Sequence, residues 1–179
     1  VFVTEDRDAK LPLLLYLHGA GEMRGELRDI ISEGATGTPP VELTFGRAPE
    51  ILAQRFVVVA PHTSEGWNLE RINSFVDFLL ADKSLQLDPA RLYVTGHSMG
   101  GAGALVAATS HRFAAAVPVA ASGTPRPGSL QGVPIWAFHG NNDVIVPSTV
   151  SKQLIAGLWN TGASKDDVKL TLYDDAPAP

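Results

Sequence analysis

Short apolar runs recur along the chain, separated by segments whose apolar residues fall at helical spacing. The runs cover residues 13–17, 56–60, 92–96, 115–119, 135–139 and 168–173. Most are unbroken rather than alternating, as in strands buried on both faces of a parallel sheet. Between the second and third runs, Leu69, Ile72, Phe75, Val76, Leu79 and Leu80 share one helical face, and Glu70, Arg71, Asn73 and Asp77 take the other. Residues 98–110 carry almost no charge and many small side chains, which predicts a central helix packed closely on the sheet. Val150, Leu154, Ile155 and Leu158 mark a further helix, introduced by Pro147-Ser148 and ended near Gly162. Strands alternating with helices in this order predict a mostly parallel central sheet with helices on both faces, in a single domain over 1–179.

The stretch 20–50 breaks the pattern. It is rich in glycine, contains Pro39-Pro40, and shows one helical turn's worth of periodicity at 27–31. A long irregular segment in a compact domain is usually functional or mobile. Both ends read as cut within a fold: Val1-Phe2-Val3-Thr4 opens inside a strand-like run, and Asp174-Asp175 and the tail Ala176-Pro177-Ala178-Pro179 follow directly on the last strand. The expectation is a domain excerpt, truncated at its ends, from which localisation is not inferred.

Composition narrows the function classes. The net charge of −5 argues against nucleic acid or an anionic membrane as the main partner. No apolar run is long enough to span a bilayer, and the absence of cysteine rules out disulfides and thiolate metal sites in these residues. No metal and no cofactor is expected.

Chemistry enters at Gly96-His97-Ser98-Met99-Gly100-Gly101, where the third apolar run meets the small-residue helix. A G-x-S-x-G turn between strand and helix forms a nucleophile elbow, which lifts the serine above the carboxyl edge of the sheet. The helix N-terminus behind Ser98 favours negative charge developing there. The first run leads into His18-Gly19-Ala20-Gly21-Glu22, a turn suited to a second oxyanion donor. The candidate donors are therefore the backbone N–H groups of Met99 and Ala20, with His18 holding the loop through its ring. Beyond the fifth run stands Asp143, in Gly140-Asn141-Asn142-Asp143, in the right order to orient an imidazole. That imidazole is expected after the last strand, and none of the five histidines lies there. His97 and His139 are expected to be buried and structural, and His111 to face away from Ser98. His62, which could border the site, precedes the nucleophile. The expectation is a base supplied from outside these residues, so that this span alone binds esters and barely turns them over.

On His18-Gly19-Ala20-Gly21-Glu22, Gly96-His97-Ser98-Met99-Gly100-Gly101 and His139-Gly140-Asn141-Asn142-Asp143, the chain resembles the lidless carboxylesterase, peptidase and polyhydroxybutyrate-depolymerase branch of the α/β-hydrolases. The resemblance implies Ser98 as nucleophile, Asp143 as acid and Ala20 and Met99 as oxyanion amides. It also implies a histidine loop after the last strand, from which this sequence departs. Trp67 resembles an aromatic that walls the substrate cleft of such proteins. Only residues 122–133 occupy the place of a lipase lid, too few for a hydrophobic cap. The expected activity is a serine carboxylesterase acting on short-chain or aryl small-molecule esters. A prolyl-oligopeptidase-type peptidase and a non-catalytic binding module lacking the triad histidine are the alternatives. Oligomeric state is left open.

Overall fold

The computed structural model describes residues 1–3, 9–35 and 37–175. Six strands form one sheet in the order β2-β1-β3-β4-β5-β6, every neighbouring pair parallel. They are β1 (Leu11–Leu17), β2 (Val57–Val59), β3 (Leu87–His97), β4 (Ala115–Val119), β5 (Ile135–Gly140) and β6 (Val168–Tyr173). The α-helices among the described residues are α1 (Pro39–Thr44), α2 (Glu50–Arg55), α3 (Leu69–Ala81), α4 (Met99–Ala108) and α5 (Thr149–Asn160). All six anticipated strands are present. β3 begins five residues early, because Leu87 pairs with Leu11 ahead of an irregularity in the β1–β3 register. Outside the named strands, Phe2, in the strand-like opening run, forms an antiparallel bridge to Val58. Thr4 and the tail 176–179 lie outside the described residues.

Register partners share a face, since successive side chains alternate across a strand. One face therefore carries Leu13, Leu15, Leu17, Leu92, Val94, Ala116, Ile135, Ala137 and Val168, all buried. They form one core with Ile72, Val76 and Leu79 of α3, Ala104 and Leu105 of α4, and Leu154, Ile155 and Leu158 of α5. The helix periodicity read from the sequence thus identifies the sheet-facing stripes of α3 and α5. The other face carries Leu14, Tyr93, Val117, Phe138, Trp136 and Tyr173, with Trp136 and Tyr173 exposed. In β5 the burial accordingly alternates, although the sequence run is unbroken.

The stretch 20–50 holds more helix than its composition suggested. Three 3-10 turns, Ala20–Arg24, Leu27–Ile31 and Glu33–Ala35, precede α1 and α2. Pro39-Pro40 begins α1 instead of breaking a helix: proline's fixed φ suits the first helical positions, where its missing N–H has no intrahelical acceptor. Between β4 and β5 the only helical element is the turn Pro127–Leu130, so no lid is inserted there.

Candidate active site

Ser98 stands between β3 and α4 with φ 55° and ψ −115°, a conformation that costs a non-glycine residue about 1–3 kcal/mol. The surrounding backbone enforces it. Ser98 N–H donates to Val119 O at 2.9 Å, and its carbonyl accepts from Ala102 and Ser122 at 3.0 and 3.1 Å. The turn also lies hard against β1. A Cβ on Gly100 would stand 1.8 Å from Leu17 O, and one on Gly96 2.4 Å from Gly100 O. Only glycine lets strand, helix and neighbouring strand meet so closely. The side chain of Ser98 is left half-buried and, among the described residues, its hydroxyl makes no hydrogen bond.

The two candidate oxyanion amides flank this bend. Met99 is the first residue of α4 and Ala20 the first of the 3-10 turn after β1, positions where the helical ladder offers an N–H no acceptor. Among the described residues neither amide donates a hydrogen bond. The strands leading to them, β1 and β3, are neighbours with Leu17 opposite Gly96, so both turns emerge side by side at the carboxyl edge.

Asp143 emerges from the same edge, three residues beyond β5. Its Oδ1 accepts the N–H groups of Ile145 and Val146, both at 2.9 Å, so the carboxylate also closes its own turn. Its Oδ2 lies 3.5 Å from Nε2 of His139, and the side chain is 3 % exposed. β4 separates the strands bearing Ser98 and Asp143. Two interstrand spacings set those strands roughly 10 Å apart.

None of the five histidines bridges that gap. His139 is buried, with Nε2–H donating to Val146 O at 2.8 Å and Nδ1 accepting from Ser151 Oγ at 2.8 Å. His18 is buried, bonded to Gly19 O at 2.7 Å and to Thr63 N–H at 3.1 Å. Burial pushes its pKa below the usual imidazole value. His62 bonds Glu22 O at 2.9 Å and stacks on His18. His97 is half-buried, not buried as expected, and its ring lies beside Gly19. His111 follows the far end of α4, about 15 Å along the helix from Ser98.

Trp67 is anchored to the turn after β1. Its indole N–H donates to His18 O at 2.9 Å, and its ring meets the His18 ring edge-on at 5.0 Å. The ring also covers Gly103 of α4, where a Cβ would stand 2.7 Å from Trp67 Cβ. It contributes to the wall of a cavity of about 1200 Å³ formed with Leu15, Leu17, Ile72 and Phe75, which includes neither Ser98 nor Asp143. No spacing signal in the sequence linked the loop 61–68 to the turn after β1; only the fold brings them together.

A parallel sheet whose carboxyl edge carries a serine on a strained strand-to-helix bend is the architecture of an α/β-hydrolase. The match is specific: the model of the PET hydrolase-like family aligns with residues 54–169, and the chain belongs to that family. Two cutinases of Thermobifida alba, est2 and est1, are 29% and 30% identical to it over 83% and 67% of this chain. The chain spans about half the length of these curated relatives or less, 47% of est2 and 39% of est1. A solved structure described as a thermostable esterase superposes with a TM-score of 0.79 at 29% identity, covering 96% of this chain and 49% of that one. Esterase PE8, at 22% identity and a TM-score of 0.63, shares the fold.

Proposed function

We propose that the protein of which these residues form the core is a carboxylic ester hydrolase working through an acyl-enzyme on Ser98. One observation carries the reading: a half-buried serine at a strained bend, next to two turn amides that, among the described residues, donate no hydrogen bond. Ser98 Oγ attacks the ester carbonyl while an imidazole takes its proton. The resulting alkoxide accepts hydrogen bonds from the Met99 and Ala20 N–H groups, reinforced by the N-terminus of α4. Collapse breaks the bond to the alcohol, which leaves with the imidazolium's proton, and the acyl group stays on Ser98 Oγ until water repeats the sequence. Asp143 orients the imidazole through its nearly buried carboxylate. The base is assigned to a histidine other than these five: His18, His62 and His139 are hydrogen-bonded elsewhere, His111 is remote, and the His97 ring is turned toward Gly19 on the β1 side.

The substrate class follows from openness. Without an inserted lid between β4 and β5, the site suits short-chain or aryl esters better than lipid aggregates. The cutinase relatives and the PET hydrolase-like family name support adding polyesters to the test. The experiment is hydrolysis of p-nitrophenyl esters of graded acyl length, and of PET film, by the full-length protein, with labelling by an organophosphonate. Stoichiometric labelling at Ser98, lost in Ser98→Ala, is expected. A fully folded protein that hydrolyses none of these and takes no label would overturn the reading. It would favour a non-catalytic binding module instead, the reading to which the lack of a suitably placed histidine in this span points.

A further inference from the structure

The Ala20 amide is useful only if it points at the reacting oxygen, and its direction is that of the Gly19–Ala20 peptide plane. In a planar trans peptide the carbonyl and the N–H point in opposite directions, so anchoring one aims the other. Gly19 O is anchored by His18 Nδ1–H at 2.7 Å. With Nδ1 as donor, neutral His18 has a lone pair at Nε2, and Thr63 N–H donates to it at 3.1 Å. The ring is also fixed by packing, stacked on His62 at 5.2 Å and edge-on to Trp67 at 5.0 Å. The backbone of the same residue is tied as well, because Trp67 Nε1–H donates to His18 O at 2.9 Å. A fourth contact closes the clamp from the far side of the turn, His62 Nε2–H to Glu22 O at 2.9 Å. The loop before α3 thus holds the turn after β1 at three points, while Trp67 rests on Gly103 of the helix that begins beside Ser98.

We propose that His18 is a positioning residue for ester hydrolysis, acting through the Gly19–Ala20 peptide to aim the Ala20 N–H, with Thr63 and Trp67 holding His18 in the one orientation that does so. The proposal rests on the esterase reading above. It gives a buried imidazole, which no step of proton transfer uses, a defined part in stabilising the oxyanion. It also assigns Trp67 to the support of the site, not to contact with substrate.

The test compares the full-length wild type with His18→Phe, His18→Asn and Trp67→Phe, using a soluble p-nitrophenyl ester. Removing an oxyanion donor outright lowers kcat by about 10²–10³. A mis-aimed donor is expected to cost less, roughly 10- to 100-fold for His18→Phe, with KM little changed. Asparagine can still donate to Gly19 O, so His18→Asn should recover most of that loss. Trp67→Phe keeps the aromatic ring on Gly103, removes the N–H, and should lower kcat in the same KM-neutral way. Should His18→Phe fail to fold, the ring tautomer of the wild-type protein, read by long-range ¹H–¹⁵N correlation, tests the same claim. An Nδ1–H tautomer supports it, and an Nε2–H tautomer overturns it. Folded His18 variants with wild-type kcat would sink the proposal while leaving the esterase reading intact. A wild type that neither hydrolyses esters nor takes the phosphonate would overturn both.

Discussion

Replacing Gly100 with alanine adds one methyl group at the point where the nucleophile bend touches the end of β1. An ideal Cβ there would stand 1.8 Å from Leu17 O, 2.5 Å from Leu17 C and 2.7 Å from His18 O, all of them backbone atoms. An ordinary C···O approach is about 3.3 Å. No rotamer relieves the clash, since alanine has none and the opposing atoms are backbone at the end of β1, which pairs with strands on both sides. The start of α4 must therefore retreat by about 1.5 Å. α4 is the helix that buries Ala104 and Leu105 completely, so the movement also loosens packing behind it. Overpacking alone costs about 1–3 kcal/mol and occasionally more; with the added loss of contact we expect about 3–4 kcal/mol for Gly100→Ala. The same retreat separates Met99 N–H from Ala20 N–H, because the two turns meet across this contact. A misplacement of about 1 Å lowers turnover by roughly 10²-fold. Urea unfolding of the full-length variant measures the first effect and steady-state ester hydrolysis the second. Gly123→Ala is the control: nothing lies within 4 Å of its added Cβ, and its stability should be unchanged or raised by about 0.4–1 kcal/mol. If Gly100→Ala unfolds within about 0.5 kcal/mol of wild type, as an ordinary surface substitution would, the close approach is wrong.

Three further outcomes are expected. Ser98→Gly relieves a bend costing about 1–3 kcal/mol against an entropic loss of about 0.5–1 kcal/mol, so it should be inactive yet more stable than Ser98→Ala in urea titration. Asp143→Asn retains an oxygen for the Ile145 and Val146 amides and should leave the urea midpoint nearly unchanged while lowering kcat by up to about 10⁴; an unchanged kcat would remove Asp143 from the triad. His18 has a depressed pKa from burial, opposed by nearby Glu22 and assisted by His62, so its contribution to stability is full above the unfolded value of 6.5 and is lost as pH falls through the lower folded value. Urea midpoints across about pH 5–7 should decline more steeply on acidification in wild type than in His18→Asn.

Much of this protein is written locally. The six apolar runs and the stripe Ile72, Val76, Leu79 are legible because backbone geometry makes side-chain direction periodic, and burial follows period. The bend at Ser98 is legible for a similar reason: its steric demands fall on Gly96 and Gly100, a few positions apart. Pro39-Pro40, read only as part of an irregular stretch, starts α1, because a proline pair suits a helix start as well as a loop. What tertiary structure alone decided are relations between distant segments. Asp143 is set two strands from Ser98 by the order of the sheet, and Thr63 and Trp67 meet His18 across 45 and 49 positions of sequence. Hydrogen bonds of that kind depend on where whole strands end in space, and no pattern of neighbouring residues encodes that. The amino-acid order by itself determined which residues can react; the folded chain decided which of them are held, and by what.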